Sequence, residues 1–187
     1  MAELAAQASY ADYLALEAES DEKHEYIDGL ILAMSGGTLE HGRLAMAAGH
    51  LLTRLLEGKP CRVFSSDARV RVESTNRSTY PDVSVVCGEL ERASDDHEAI
   101  ANPLLLVEVL SESTERSDRG EKFAHYRRLE SLSDYVLISQ SERRVECFHR
   151  TDAGWMLTEA GAGERLHLAS IEGELDVDAL YKDTLYG

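Results

Sequence analysis

Residues 102–110 read Asn-Pro-Leu-Leu-Leu-Val-Glu-Val-Leu, and this stretch limits the possible fold more than any other in the chain. At strand period, Leu104, Leu106, Glu108 and Leu110 point to one side, and Leu105, Val107 and Val109 to the other. Both sides are apolar, which specifies an interior strand covered on both faces, with Pro103 at its first position. One carboxylate, Glu108, is set into it. A buried carboxylate without a partner is costly or takes up a proton. The fold must therefore compensate Glu108, and a hard divalent cation is one candidate.

The rest of the chain supplies elements to cover that strand. Ser9 and Asp12 form a capping box for a helix over Ser9 to Glu19. Two short apolar runs flank Asp28-Gly29, a pair suited to a type I′ turn, and predict a β-hairpin. Ser35-Gly36-Gly37 interrupts the pattern, and a long helix starts at Thr38 and stops near Glu57, with Gly58 just past its end. Strands are expected over Cys61 to Phe64, Ala68 to Val72 and Tyr80 to Cys87, with a polar turn from Glu73 to Thr79 and an acidic loop from Gly88 to Ala101. Ser111 to Ser117 reads as a polar connection, after which Asp118 and Glu121 look like a second capping pair. Three further strands follow, over Asp134 to Gln140, Arg143 to Arg150 and Trp155 to Glu159, and a terminal helix over Asp176 to Tyr181. Helices around a mixed central sheet, with an N-terminal helix and hairpin, define an α/β (α+β) domain. The 187 residues are expected to form one domain, 1–187.

Composition narrows the function. Cys61, Cys87 and Cys147 are odd in number and widely spaced, so neither a thiolate zinc knuckle nor a disulfide framework is expected. The seven histidines lack His-x-x-x-His spacing, and Ser35 lacks the flanking glycine of a nucleophile elbow. That cysteine pattern favours a reducing cytoplasm, and the first residues have no signal-peptide character and no apolar run approaches a membrane span, so a soluble intracellular protein is expected. A formal charge of −16 opposes nonspecific attraction to phosphate backbones. Nucleic-acid binding would depend on metal ions and on a local basic rim from Arg69, Arg71, Arg116, Arg119, Arg127 and Arg128.

Asp82 and Glu108 lie in two successive strands of this reading. If those strands are neighbours, two carboxylates meet at the edge of the core, and their repulsion calls for a proton or a cation. Oxygen donors of this kind suit Mg²⁺ or Mn²⁺. Lys122, on the following helix, could reach the same cavity, with Tyr126 one turn further on. Taken singly, each residue has a bland explanation. Asp82 would be a turn residue after Pro81, Lys122 a solvated helix residue, and Glu25 an exposed hairpin residue pairing with Lys23 or Arg43. His41 would be a helix-start residue and Tyr126 core packing.

Pro81-Asp82 followed by Glu108-Val109-Leu110 resembles the PD-(D/E)XK nuclease superfamily. The wider text resembles one branch, the Uma-type restriction endonuclease family, also known as a domain of unknown function. The matching segments are Glu25-Tyr-Ile-Asp-Gly29, His41, Tyr80-Pro-Asp-Val-Ser-Val-Val86, Leu106-Val-Glu-Val-Leu-Ser111, Asp118-Arg-Gly-Glu-Lys-Phe-Ala-His-Tyr126 and Asp134-Tyr-Val-Leu-Ile138. The resemblance implies a restriction-endonuclease-like core and hydrolysis of DNA phosphodiesters with Mg²⁺ or Mn²⁺. Asp82 and Glu108 would hold the metal, with the main-chain carbonyl of Val109 and with Glu25 as an added ligand. Leu110 stands where the superfamily has a lysine, and Lys122 is the matching substitute. His41 and Tyr126 would be accessory. A homodimer is the simplest arrangement for cutting both strands. Two alternatives remain: a non-catalytic interaction or regulatory protein that retains the fold, and a hydrolase of some other phosphate ester.

Overall fold

The computed structural model describes residues 7–34, 36–111 and 115–185. The first six residues, Ser35, residues 112–114 of the polar connection and residues 186–187 lie outside that description.

Helix α1, Tyr10–Glu19, begins at the expected capping box: the Ser9 hydroxyl accepts from the Asp12 N–H and the Asp12 carboxylate from the Ser9 N–H. Strands β1, His24–Ile27, and β2, Leu30–Ala33, form the hairpin. Asp28 and Gly29 both take positive φ, 44° and 96°, as a type I′ turn demands. The long helix α2, Leu39–Leu55, is capped by the Thr38 hydroxyl, which accepts from the His41 N–H at 3.0 Å. Next come β3, Cys61–Ser65, β4, Arg69–Val72, β5, Arg77–Thr79, β6, Val83–Cys87, β7, Ala99–Ile100, and β8, Leu105–Val109. A π-helical turn, Ser117–Lys122, runs into the short helix α3, Phe123–Tyr126. Then follow β9, Asp134–Ile138, β10, Arg144–Thr151, β11, Gly154–Gly161, β12, Arg165–Leu168, β13, Gly173–Asp176, and the closing helix α4, Val177–Leu180.

The main sheet has the order β11-β10-β9-β8-β6-β3. It is mixed, because β8 runs antiparallel to β6 and parallel to β9. As its pattern required, β8 is interior and buried on both sides. Leu105, Val107 and Val109 face a core built with α2, α4 and the β12-β13 hairpin. Leu106 and Leu110 face a second core with β4, α3 and the aromatic residues Tyr126 and Tyr135. The structure is thus a mixed α+β fold, with helices flanking mixed sheets.

Five details differ from the sequence reading, the first being that the expected acidic loop from Gly88 to Ala101 ends in β7, which pairs in parallel with β4. The segment expected as a polar turn contains β5, whose Arg77, Ser78 and Thr79 are at most 1 % exposed, and which joins a second sheet of order β2-β1-β5-β4-β7. Polar strands escape hydrophobic patterning, and this one is held by side-chain bonds instead. The β12-β13 hairpin was also missed. Asp118 does not open a helix, since Arg116 is already helical and Asp118 is buried inside the π-turn. Finally, Cys61 and Cys87 are direct partners across β3 and β6 and form a disulfide, leaving Cys147 as a buried thiol. Antiparallel pairing brings together cysteines that looked unrelated along the chain.

Because the disulfide closes a loop of sequence separation 26, its loss should cost about 3 kcal/mol. Urea melts with and without a thiol reductant should show that drop, and a Cys61→Ser, Cys87→Ser variant should be insensitive to reductant.

Candidate active site

The register of β6 on β8 pairs Val83 with Val107, so the next step along both strands brings Asp82 opposite Glu108. Asp82 is fixed by the strand beside it: its Oδ2 accepts a 2.7 Å hydrogen bond from the Val109 N–H. The same oxygen lies 3.3 Å from Nε2 of His41, in the first turn of α2. Glu108 is only 4 % exposed, and its Oε1 accepts from the Tyr126 hydroxyl at 3.0 Å. Tyr126 is held in turn by Thr79 of β5, oxygen to oxygen at 2.8 Å.

Lys122 answers the question raised by Glu108. Its ammonium stands 3.4 Å from Glu108 Oε1, 3.2 Å from Glu25 Oε1 and 3.2 Å from Asp118 Oδ1. Three elements converge there: β1 brings Glu25, β8 brings Glu108, and the π-turn brings both Asp118 and Lys122. π-turns inserted in helices often occur at functional sites. This one packs beneath the main sheet through the Tyr135 hydroxyl, which donates to the Asp118 carbonyl at 3.0 Å.

All six side chains expected from the sequence, Glu25, His41, Asp82, Glu108, Lys122 and Tyr126, therefore gather in one cluster. Val109 joins through its N–H, which holds Asp82. The bland alternatives fare differently. Glu25 is turned inward to Lys122, while Lys23 pairs with Asp67 and Arg43 with Glu40. Asp118 and Thr79 were missed; only the i, i+4 spacing of Asp118 and Lys122 hinted at the first. The proposed basic rim is also thinner than the sequence implied. Arg69 is bound to Asp96, Arg71 is buried against Asp95, and Arg119 pairs with Glu115 and Glu146, which leaves Arg116, Arg127 and Arg128 exposed.

The electrostatics follow from burial. Desolvation pushes the Glu108 carboxyl up to about 8; Lys122 opposes this, and Asp82, Asp118 and Glu25 reinforce it. Burial works against the charge on Lys122, but the surrounding carboxylates hold its ammonium well above the ordinary lysine value. The hydrogen bond to Asp82 raises His41. Four carboxylates thus share one ammonium and one imidazole. Among the described residues, no three carboxylate, imidazole or thiolate groups stand close enough, as placed, to close around an ion. The donor chemistry nevertheless fits a hard divalent cation: the oxygens are carboxylates in excess of cations, and the buried Glu25 Oε1 and Asp118 Oδ1 are met only by the Lys122 ammonium, in ion pairs without hydrogen-bond geometry.

The mixed sheet, with Asp82 just before β6, Glu108 on the adjacent β8 and Lys122 of the π-turn beside Glu108, belongs to a nuclease-like fold. The family model described as "Putative restriction endonuclease" (Uma2) matches residues 10–179, and the chain belongs to that family. Two relatives from Synechocystis sp. are similar along most of their length. The uncharacterized protein slr1290 is 39 % identical over 172 residues, covering 91 % of this chain and 90 % of that protein. The uncharacterized protein sll1609 is 35 % identical over 150 residues, covering 80 % and 85 % respectively. The crystal structure of a putative nuclease of the DUF820 family from Anabaena variabilis shares the fold. Its TM-score is 0.71 at 17 % identity, over 90 % of this chain and 97 % of that one.

The raised Glu108 carboxyl makes a signed prediction. The folded state keeps its proton up to about pH 8, whereas the unfolded chain releases it near 4.5, so stability falls as pH rises between these values. Glu108→Gln should remove that decline, so that between pH 4.5 and pH 9 its stability should gain on wild type by roughly 5 kcal/mol, read from metal-free denaturant curves.

Proposed function

We propose that this protein is a Mg²⁺- or Mn²⁺-dependent endonuclease that hydrolyses DNA phosphodiester bonds. The observation that supports it best is the position of Lys122. Although Leu110 fills the usual lysine position and packs in the core, a lysine from the following helix stands beside Glu108.

In this reading Asp82, Glu108, the main-chain carbonyl of Val109 and Glu25 would hold the cation. When bound, it would polarise the scissile phosphate and lower the pKa of a water ligand. The chain's own groups do the rest. Lys122 donates to the attacking water or to a phosphate oxygen and stabilises charge that develops there. Tyr126 orients the Glu108 carboxyl, and the Val109 N–H holds Asp82 in place. His41 sits in the first turn of a long helix, where the helix dipole favours an anion, and is suited to meet a phosphate. The reading includes a cytoplasmic location, where DNA and Mg²⁺ are both at hand and where the Cys61–Cys87 pair would be held largely as thiols, and a homodimer if both strands of a duplex are cut.

Millimolar Mn²⁺ should raise the wild-type melting temperature, because a ligand bound only by the folded state stabilises it by about 2.7 kcal/mol at a hundredfold excess over Kd. Asp82→Ala should gain little. On a labelled DNA panel, wild type should nick only with the divalent ion, Asp82→Ala should be inactive, and Lys122→Met should retain about one-hundredth of the rate. Hydrolysis of other phosphate esters but not DNA would move the reading to a different hydrolase. A folded protein with neither metal response nor hydrolysis would leave a non-catalytic interaction protein.

A further inference from the structure

Of the acids around Lys122, Asp118 alone has no part in holding a cation in the endonuclease reading. It is 1 % exposed and lies inside the π-turn, and its Oδ1 stands 3.2 Å from the ammonium of Lys122, four residues on. Residues four apart share one face of a helical turn, so acid and lysine meet on the side that looks toward Glu108. The other acids have further partners. Glu108 accepts from the Tyr126 hydroxyl, and Asp82 has the Val109 N–H and His41. The buried Asp118 Oδ1 has only the ammonium among the described residues.

The backbone fixes this acid in place. The Asp118 carbonyl accepts the Tyr135 hydroxyl at 3.0 Å, and Tyr135, fully buried on β9, is the register partner of Leu106 on β8. Asp118 is thereby set relative to the strand that carries Glu108, whereas Lys122 reaches the same point on a long, flexible stem. In the endonuclease reading Glu25 and Glu108 are cation ligands, and a carboxylate that gives its oxygens to a cation has less to give an ammonium. Lys122 is only 8 % exposed, and an ammonium buried without a counter-charge is costly. Asp118 is the acid that remains to it.

We infer that Asp118 is a positioning residue for the reaction: it holds the Lys122 ammonium beside Glu108 while Glu25 and Glu108 serve the cation. The inference rests on the endonuclease reading of this cluster and assigns a role to the acid that reading leaves out. Asp118 acts through Lys122 and touches neither cation nor phosphate.

The test uses full-length wild type, Asp118→Asn, Lys122→Met and the double variant. Each is assayed for cleavage of labelled DNA in Mn²⁺ and melted with and without Mn²⁺. Asp118→Asn should lower kcat by about ten- to a hundredfold, since a misplacement of ~1 Å in a positioned group is enough for such a loss. KM for DNA and the rise in melting temperature with Mn²⁺ should be kept. In the Lys122→Met background the same change should cost nothing further, because residues that act as a unit are not additive. Without metal, Asp118→Asn should lower the melting temperature of wild type and raise that of Lys122→Met, where it removes a buried acid that has lost its ammonium. Additive losses in kcat, a raised KM at unchanged kcat, or equal melting shifts in the two backgrounds would overturn the inference. Loss of the Mn²⁺ response in Asp118→Asn would overturn it as well and make Asp118 a cation ligand. If wild type cuts no DNA, the endonuclease reading fails by itself. The metal-free melts then decide the pair: opposite shifts in the two backgrounds uphold Asp118 as the holder of Lys122, and equal shifts overturn it. Should Asp118→Asn not fold, Asp118→Ser takes its place in the same measurements.

Discussion

The contact on which the rest of the molecule depends is between the Lys122 ammonium and the carboxylates of Glu25, Glu108 and Asp118. Each acid arrives on a different stretch of backbone, and none of the four groups could be buried alone without a large desolvation cost. Together they tie the β1 hairpin, the central strand and the π-turn to one point. The arrangement still holds more carboxylates than cations, and desolvation of Glu108, opposed by Lys122 and reinforced by the neighbouring acids, keeps a proton on its carboxyl up to about pH 8.

The second sheet supports this point from below. β5 gives Thr79 to the Tyr126 hydroxyl and Arg77 to Glu121, so it fastens the helix that carries Lys122. Acids of the Gly88 to Ala101 segment, Asp95 and Asp96, are used up on Arg71 and Arg69 within the same layer. Part of the chain's negative charge therefore serves internal pairing within this layer.

What the sequence made legible was whatever local chemistry signals. Ser9 and Asp12 announced α1, Asp28-Gly29 the hairpin turn, Thr38 the start of α2, and the two-faced apolar run β8. Asp82, Glu108 and Lys122 were found because a carboxylate in an apolar strand demands a partner and because the surrounding text resembled a family. Long-range pairing was the blind spot. Cys61 and Cys87 meet only through the β3-β6 register, and β5 is buried by polar bonds that no periodicity records. Asp118 resembled a cap because helix-start residues and helix-buried acids share one alphabet, and only the position of Lys122 tells them apart.

The two-sided burial of β8 also acts as a check on assembly. Successive side chains of a strand alternate between faces, so pairing β8 one residue out of register would carry Glu108 into the aliphatic layer under α2 and turn Val107 or Val109 toward Lys122. Both errors are penalised at once, one by a carboxylate among leucines and the other by an ammonium facing valine. The costly group at the centre of the sheet thereby proofreads its own alignment, and a chain that has folded at all has Asp82 and Glu108 side by side.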